Sequence, residues 1–414
     1  MLKRIKLENF KSFSDAEVSF GPLTVLIGTN ASGKSNVKEA LRFLNGVSRG
    51  YSLSEILNEK RATDGTLLWR GIRGGTAELI FKGLKEFQVT CDIELSVAGY
   101  TFNLQYLVRA VAFRPNLFRV TRESLYDKDR LIFDSHLPSD PPLQKDVNRL
   151  AVAIGNDNGV PTIASFENTS PILHQLSTDR TVNDHVSAVA NQCIEFLSKF
   201  RFLDLDPNVL REPSFEHEIV LGEHGENLPS AVSHILHLEH LQGALADWLS
   251  ELAAIEVLDF EFEPDLSGRL QLILVQADGW KVSATSASDG TLRFLGLLAA
   301  LLTGSKENVF VIEELENGIH PSRVQLILQL MHQVSANQNV QILATSHSPQ
   351  ILQELTEETV DNAWLIFRPT QDKSSRARKV AEIIDIGKLK EAPDFAQLHT
   401  MGWFETVMNF MEES

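Results

Sequence analysis

Hydrophobic and polar residues alternate with a period of two over much of the first third of the chain. Such alternation predicts β-strands with one buried face and one face in solvent, and short glycine or charged turns separate the segments. We therefore expect an antiparallel meander between Thr76 and about Phe133. The alternating segments are 77–81, 87–95, 100–106, 118–125 and 130–133. Residues 134–165 are rich in Pro, Asp, Asn and Gly, which predicts an irregular loop.

Helical spacing replaces this alternation between about 167 and 256, with amphipathic segments at 182–200 and 228–252. Strands return at 257–262 and 270–275, and from there buried strands alternate with helices. The buried strands are 308–312, 340–344 and 363–367, and the helices are 290–303 and 321–334. Strands that alternate with helices predict right-handed crossovers and a mostly parallel sheet.

These changes of period divide the chain into four regions. We expect an N-terminal lobe at 1–166, a helical insertion at 167–256, a C-terminal lobe at 257–370 and a tail at 371–414. The expected fold class is α/β, with an antiparallel β subdomain, a mostly parallel sheet and an inserted helical subdomain.

Composition and charge narrow the class of protein. With 43% hydrophobic and 22% charged residues, the 414-residue chain has the composition of a globular protein. No apolar run is long enough to span a bilayer, and the first residues lead into an amphipathic strand, so we expect a cytoplasmic protein without a membrane partner. Cys91 and Cys193 lie far apart and predict neither a zinc cluster nor a disulfide framework. The net charge of −17 argues against non-specific coating of nucleic acid, although basic clusters near Lys3 and Arg376 leave a local groove open.

The segment from Gly28 to Ser35, called the phosphate loop below, fits the pattern G-x-x-x-x-G-K-S. It follows the apolar run 23–27 and precedes the helical run 36–44, which is the strand–loop–helix context that the motif needs. Glycines let the backbone wrap closely around phosphate, and the helix N-terminus adds partial positive charge. We expect Lys34 to reach the β and γ phosphates of a nucleotide and the Ser35 hydroxyl to bind Mg²⁺. The expected nucleotide contacts are Gly28, Thr29, Asn30, Ala31, Ser32, Gly33, Lys34 and Ser35.

Two carboxylates, Glu313 and Glu314, end the buried strand 308–312, where ligands sit in open α/β sheets. One can hold Mg²⁺, and the other can orient or deprotonate an attacking water. His347 ends the next buried strand, and an imidazole there can reach a γ phosphate. The three side chains together predict that the nucleotide is hydrolysed.

A third motif, Ser288-Asp289-Gly290-Thr291, directly precedes an apolar helix and is called the signature segment below. It reads as an N-cap, and equally as a second helix N-terminus able to bind phosphate. A second such end makes sense if it faces the nucleotide of another protomer.

Together these motifs resemble the ABC-type ATPase heads of SMC and RecF proteins, and most of all the RecF-like and OLD-type AAA family ATPases of bacteria. The resemblance covers nearly the whole chain. It is carried by Asn30 and Asn36 around the phosphate loop and by the segments 9–13, 288–294, 312–321 and 345–349. It implies an ABC-type ATPase head that forms a head-to-tail homodimer, or a higher homo-oligomer, around ATP.

The resemblance also implies where ATP would be held. Each ATP would lie between the phosphate loop of one chain, with Asn36 beside it, and Ser288 and Gly290 of the other. Lys11 would lie near the phosphates. Closing the dimer would complete the site, because phosphoryl transfer needs mostly positioning and charge neutralisation.

Roles for the acidic residues follow from the same resemblance. Glu313 takes the Mg²⁺ side, Glu314 activates water, and His347 senses the γ phosphate. The chain departs from the family pattern in three places. ABC proteins usually carry Asp where Glu313 stands, the family commonly has Pro where Leu315 stands, and the glutamine that links the two lobes is not evident.

The expected function is an ATP-hydrolysing switch in a DNA-related process such as phage defence or DNA repair. OLD nucleases append a Toprim domain, for which the residues after His347 are too few, so we expect a separate nuclease or effector as partner. Direct binding of DNA stays open. A second hypothesis is an ATP-dependent assembly scaffold or sensor in which hydrolysis is incidental. A small-molecule kinase or a transporter subunit fits the motifs less well.

Overall fold

The structure is a computed structural model that describes residues 1–97, 99–114, 117–136, 148–156, 158–251, 257–304, 308–319, 321–337, 340–348, 351–369 and 374–383. The strands of these residues are β1 (Leu2–Phe10), β2 (Phe13–Ser19), β3 (Leu23–Ile27), β4 (Lys60–Arg61), β5 (Leu67–Trp69), β6 (Glu86–Val97), β7 (Tyr100–Arg114), β8 (Leu117–Asp127), β9 (Arg130–Asp134), β10 (Arg149–Ile154), β11 (Thr162–Glu167), β12 (Phe200–Leu203), β13 (Val257–Pro264), β14 (Leu270–Gln276), β15 (Lys281–Ser283), β16 (Val309–Ile312), β17 (Gln341–Ser346), β18 (Ala363–Phe367) and β19 (Arg376–Lys379). The α-helices are α1 (Lys34–Ser48), α2 (Leu53–Leu57), α3 (Ile172–Thr178), α4 (Asp184–Ser198), α5 (Pro207–Leu210), α6 (Leu228–Leu236), α7 (Glu239–Glu251), α8 (Asp289–Leu302), α9 (Pro321–Asn337), α10 (Ile351–Glu354), α11 (Glu357–Val360) and α12 (Val380–Ile383).

The predicted antiparallel meander is an eight-stranded sheet with the order β11-β10-β9-β8-β7-β6-β1-β2. Its long strands β6, β7 and β8 alternate between buried and more exposed residues, as the period of two predicts. The buried residues include Val89, Leu104 and Val120, which contribute to one hydrophobic core. The sheet therefore has one face on this core and one in solvent.

A six-stranded sheet with the order β12-β16-β17-β3-β18-β19 carries the predicted α/β half. The first five strands are parallel, and β19 is antiparallel to β18. Every residue of β3, β16 and β17 is buried, because helices cover both faces of a parallel sheet. The phosphate-loop strand β3 lies between β17 and β18, and the carboxyl ends of β3, β16 and β17 meet at one edge.

The layers are joined through α1, which lies between the two sheets. Strand β16 divides its residues between two cores: Val309 and Val311 pack with α1 and the antiparallel sheet, while Phe310 and Ile312 pack with α6, α8 and α9. Because α1 is covered on both sides, even its charged residues are buried. Any charge on this helix therefore needs a partner in the protein.

Residues 77–81 do not form the strand that alternation predicts, which corrects the expectation. The chain makes a 3₁₀ turn at Gly75–Ala77, and Ile80 pairs with Phe10 in a single isolated bridge. Lys82 and Gly83 then take positive φ angles of 25° and 73°, which turn the chain away before the pairing can extend.

The expected irregular loop at 134–165 is wrong as well. Strands β10 and β11 form a hairpin within it, paired from Arg149 with Glu167 to Ile154 with Thr162. The short runs are strands because they extend the existing sheet, which local composition does not show. Residues 137–147 of this segment lie outside the described residues.

The expected helical insertion contains a strand that the spacing did not predict. Helix α4 ends at Ser198, and β12 then runs parallel to β16 with Phe200 opposite Val309. A run of four residues is too short to show a period of its own. The predicted helix at 228–252 is two helices, since α6 ends at Leu236 and α7 begins at Glu239. The division into four regions stays a prediction, and 384–414 lies outside the described residues.

Candidate nucleotide-binding and hydrolysis site

The phosphate loop connects β3 to α1, as its motif predicts. A side chain at Gly28 would place a Cβ 2.1 Å from the backbone oxygen of Ile366. Gly33 has a φ of 118°, and a Cβ there would lie 2.6 Å from Ser375 Oγ. Both positions therefore require glycine, for a close approach in one case and for a left-handed backbone in the other. The loop ends at the N-terminus of α1, which favours a bound phosphate.

Hydroxyl groups from distant parts of the chain brace this loop. Ser375 Oγ donates to the backbone oxygen of Ser32 at 2.5 Å and lies 2.7 Å from Ser12 Oγ. Asn36 Nδ2 donates to the same Ser12 oxygen at 2.6 Å. The side chain of Asn36, expected beside the nucleotide, thus contributes to the brace. Ser12 lies in the segment 9–13 that carries the resemblance, but the sequence analysis assigned a role to neither Ser12 nor Ser375.

Lys34 lies over the loop that it is expected to serve. Its Nζ donates to the backbone oxygens of Gly28 at 2.5 Å and Thr29 at 2.9 Å. Burial lowers the pKa of Lys34, and the charges of nearby carboxylates oppose this effect. These carboxylates are Glu316, Glu314 and Glu313. The expected phosphate-binding cation and the acidic strand end therefore share one site.

Glu313 follows β16 and faces α1. Its Oε2 accepts a hydrogen bond from Lys38 Nζ in an ion pair whose side chains are only 10% and 13% exposed. Burial favours the neutral acid, but the Lys38 charge, hydrogen bonds from Lys38 and Ser35, and the charge of Arg73 leave the pKa of Glu313 below its usual value. Glu313 is therefore an anion at neutral pH, next to the serine with which it is expected to bind metal.

Glu314 turns the chain out of the strand with a φ of 48°. Its backbone N–H donates to Thr345 Oγ1 at 3.1 Å, and Asn317 Nδ2 donates to its Oε2 at 3.1 Å. This left-handed residue lets two adjacent carboxylates line one small cleft, which Arg293 also lines. A non-glycine residue in this conformation stores strain, which is common at functional sites.

His347 is held by a third acid, Glu316. Glu316 Oε1 accepts the backbone N–H groups of His347 at 2.7 Å and Ser348 at 2.9 Å, and lies 3.0 Å from His347 Nδ1. The sequence prediction assigned no role to Glu316, although its place two residues after the acidic pair was a usable signal. The fixed imidazole and the acidic pair are brought together at the carboxyl ends of β16 and β17.

Lys11 lies in the turn between β1 and β2 with a φ of 53°. Its ammonium donates to the backbone oxygen of Arg73, whose own N–H donates to Glu39 Oε2 at 3.0 Å. Burial lowers the pKa of Lys11, while the charges of Glu39 and Glu78 oppose the effect. Arg73 is exposed and its charge reaches Glu313, so the loop before the meander contributes a cation that sequence reasoning missed.

The signature segment caps α8. Ser288 Oγ accepts the backbone N–H of Thr291 at 3.2 Å, and Arg211 pairs with Asp289 at 2.6 Å. A Cβ at Gly290 would lie 2.4 Å from the backbone oxygen of Gly318, so the helix start packs against the loop that follows Glu314. Ser288 and Asp289 are exposed. Within the part of the chain that the structure describes, their hydrogen bonds run within the segment and to Arg211, not to the phosphate loop of the same chain.

The residues present fit a nucleotide and a hard divalent cation. The phosphate loop ends at a helix N-terminus with Lys34 bonded to its backbone oxygens, and Ser35 and Glu313 offer a hydroxyl and a carboxylate oxygen, the donor types that Mg²⁺ prefers. Among the described residues, no group of three or more His, Cys, Asp or Glu side chains could hold a metal by itself. A cation at this site would therefore take its remaining ligands from phosphate oxygens and water.

Comparison with known families identifies the chain. Residues 23–353, which include the phosphate loop, the signature segment and the acidic pair, match the family described as AAA domain, putative AbiEii toxin, Type IV TA system. The chain belongs to this family. This AAA-domain protein is an ATPase, as the resemblance predicted.

Known proteins similar to this AAA-domain protein include an ATP/GTP phosphatase of Helicobacter pylori, 22% identical over 367 residues that are 86% of this chain and 88% of that one. The DNA replication and repair protein RecF of Lactococcus lactis is 46% identical over 44 residues, which are 10% of this chain and 12% of RecF. The SMC head domain from Thermotoga maritima aligns with a TM-score of 0.40 and 13% identity, covering 92% of this chain and 98% of that chain. Within the described residues, no helix combines the length and apolarity needed to cross a bilayer.

Proposed function

We propose that this ATPase hydrolyses Mg²⁺-bound ATP at the site described above and works as a switch through a head-to-tail homodimer. The observation that carries the proposal is the acidic end of β16, where Glu313 pairs with Lys38 of α1 and Glu314 lines a small cleft, close enough for both charges to act on Lys34 of the phosphate loop. Cation and carboxylates have separate tasks in phosphoryl transfer. The lysine ammonium binds phosphate, and the carboxylates hold the metal ion and activate water.

Each residue has a task that its contacts support. Lys34 would exchange its backbone acceptors for phosphate oxygens, and Ser35 with Glu313 would hold a divalent cation that neutralises charge on the phosphates. Glu314 is exposed at the cleft, where it orients the attacking water and accepts its proton. His347, fixed by Glu316, contacts the γ phosphate.

The homodimer is proposed from the position of the signature segment. Ser288 and Asp289 are exposed at the N-terminus of α8, and their hydrogen bonds leave the phosphate loop of the same chain untouched. A second protomer that places its signature segment on the bound ATP would supply a helix N-terminus to the γ phosphate. Binding of ATP would then cause two chains to dimerise.

The biological role is proposed from the kind of relatives. The family description names a putative toxin of a type IV toxin–antitoxin system, and one relative is a DNA replication and repair protein. Both support a switch that controls a separate nuclease or effector in phage defence or DNA repair. The net charge of −17 supports contact through an effector more than broad coating of DNA.

The test is light scattering of the purified chain with and without ATP, together with phosphate release. Glu314→Gln should keep ATP binding, slow hydrolysis by about 100-fold or more and accumulate an ATP-bound dimer. Lys34→Ala should remain a monomer because it cannot hold the phosphates. Unchanged hydrolysis in Glu314→Gln would remove the assignment of Glu314. An effector that binds Glu314→Gln with ATP and is released on hydrolysis by the wild type would support the switch over a scaffold.

A further inference from the structure

Lys38 is a buried cation that the proposed mechanism does not use. It lies four residues after Lys34 on α1, so the two ammonium groups project from the same side of the helix, one turn apart. The hydrogen bond that the structure gives Lys38 ends on Oε2 of Glu313. The Ser35 hydroxyl, on the same helix turn, helps to lower the pKa of the same carboxylate.

A purely structural role for this ion pair is a poor explanation. Burying two charges costs more free energy than two well-packed apolar side chains would, so such pairs are weak stabilisers. Helix α1 already has a second buried pair one turn further on, where Arg42 binds both carboxylate oxygens of Glu223. The Arg42 pair lies away from the phosphate loop and is a structural counterpart, whereas the Lys38 pair ends on the carboxylate proposed to bind metal.

We propose that Lys38 is a positioning residue for the cation site, and that it keeps divalent metal from binding to Glu313 before the nucleotide arrives. The inference rests on the proposed role of Ser35 and Glu313 as metal ligands. The ammonium neutralises Glu313 in the nucleotide-free protein and holds Oε2, so that the carboxylate offers a metal only its other oxygen. A divalent cation beside a resident ammonium is repelled in a site of low dielectric constant.

The nucleotide removes this barrier because it brings its own charge. Phosphate oxygens at the phosphate loop supply enough negative charge for both the ammonium and the metal, so the metal enters together with the nucleotide. Lys38 thereby couples the two binding events. The coupling is reciprocal: if bound metal raises the affinity for nucleotide by some factor, bound nucleotide raises the affinity for metal by the same factor.

The coupling also gives a reason for glutamate at this position. The length of the glutamate side chain lets its carboxylate reach from β16 to Lys38 on α1 while it remains within reach of Ser35.

The experiment is a titration of Mn²⁺, an EPR-active substitute for Mg²⁺, into the full chain with and without the non-hydrolysable ATP analogue AMP-PNP. Wild-type protein should bind Mn²⁺ weakly alone and tightly with the analogue. Lys38→Met should bind Mn²⁺ without nucleotide about tenfold tighter or more than wild type, because the competing charge is gone. Adding Glu313→Gln to Lys38→Met should abolish the gain.

Three further variants keep the result unambiguous. Arg42→Met removes the matched ion pair of the same helix and should leave nucleotide-free Mn²⁺ binding unchanged. Lys38→Arg keeps the charge and should behave as wild type. Lys38→Gln keeps an uncharged hydrogen-bond donor for Glu313. It should show the same tighter Mn²⁺ binding as Lys38→Met, and it takes the place of Lys38→Met in the experiment if that variant does not fold.

Two outcomes separate this inference from the proposed function. If Lys38→Met and Lys38→Gln bind nucleotide-free Mn²⁺ no tighter than wild type, or if Arg42→Met shows the same gain, the role of Lys38 is wrong. If wild-type protein with AMP-PNP binds no Mn²⁺ through Glu313, the proposed metal site itself is wrong.

Discussion

Glu316 holds another residue of the proposed site, His347, in place. One of its oxygens accepts two backbone N–H groups and lies against the His347 ring, so a single carboxylate fixes both the position and the orientation of the imidazole. The other oxygen, Oε2, is buried and has no hydrogen-bond partner among the described residues. These contacts thus hold the Glu316 carboxylate at the C-terminal end of β17.

Replacing Glu316 should mimic the loss of His347. We expect Glu316→Ala to lower kcat about tenfold or more, because an imidazole without its anchor no longer holds the γ phosphate. The double variant with His347→Ala should be no slower than either single variant, since both changes remove one interaction. Steady-state hydrolysis measures this, with the exposed Glu357→Ala on α11 as control. Additive losses in the double variant would contradict the assignment.

Glu123 is a second buried acid, far from the phosphate loop. Its carboxylate accepts the backbone N–H groups of Ile172 at 2.7 Å and Leu173 at 2.8 Å, and the Tyr106 hydroxyl at 2.9 Å. It joins the antiparallel sheet to the start of α3. Burial raises the pKa of Glu123 from 4.5 to about 7, although these three hydrogen bonds oppose the rise.

This raised pKa predicts a pH-dependent stability. The contribution of Glu123 is fully present below pH 4.5, where it is protonated in both states, and is lost as the pH rises through about 7. The folded state should therefore lose up to about 3 kcal/mol across this window. The side chain of Glu123→Gln cannot ionise. In urea titrations, the free energy of unfolding of this variant should therefore increase relative to that of wild type as the pH rises from 5 to 8. The exposed Glu86→Gln on β6 should not do so, and parallel curves for wild type and Glu123→Gln would refute the prediction.

At the scale of elements, α8 meets the loop after Glu314 through two glycines. A Cβ at Gly290 would lie 2.4 Å from a backbone oxygen of Gly318, and a backbone atom cannot move aside as a flexible side chain does. The start of α8 and the acidic strand end are consequently held in a fixed relation. A displacement of the signature segment would therefore also displace Glu314.

Gly290→Ala should separate these two elements. We expect it to lower the free energy of unfolding by about 1–3 kcal/mol, because the inserted methyl group overpacks the contact. Gly243→Ala is the matched control: it lies in helix α7 with nothing within 4 Å of the new Cβ, and it should be neutral or stabilising by up to about 1 kcal/mol. Urea unfolding of both variants measures the difference, and equal effects would contradict the packing argument.

The elements that the sequence predicted well are those whose pattern is local. The period of two in β6 to β8 and the helical spacing of α4 and α8 lie within each segment, and the structure confirms them. By contrast, β10, β11 and β12 are strands because they pair with distant partners, as Phe200 does with Val309. Propensity alone does not contain that information.

At the scale of the whole molecule, the same limit applies to the site. Motif spacing predicted the phosphate loop and the acidic strand end, since both rely on consecutive residues. Lys38, Arg73 and Glu316 were not predicted, because their tasks depend on contacts between separate elements. The proposed second half of the site lies beyond a single chain and requires an experiment on mixed protomers.

Head-to-tail assembly predicts that two inactive variants restore each other. Lys34→Ala has a defective phosphate loop and an intact signature segment, while Ser288→Arg has the opposite defect. One of the two sites in a mixed dimer would then combine the intact halves. Hydrolysis in an equimolar mixture should therefore recover to about a quarter of the wild-type rate if the chains pair at random, and to about half if only mixed dimers form. Phosphate release from the mixture measures this, and mixtures of Lys34→Ala with Lys34→Met serve as control. A mixture as inactive as its components would rule out composite sites.

The brace of the phosphate loop sets the order of events during synthesis. Ser375 contacts Ser32 across 343 residues and Ser12 across 363 residues. Contacts of such high sequence separation form late, because the chain between them must already be placed. A nascent chain on the ribosome has its phosphate-loop motif early but gains the braced loop only after Ser375 has emerged. Incomplete chains would therefore be poor at capturing ATP, and the ATP cycle would be confined to molecules whose translation has passed Ser375.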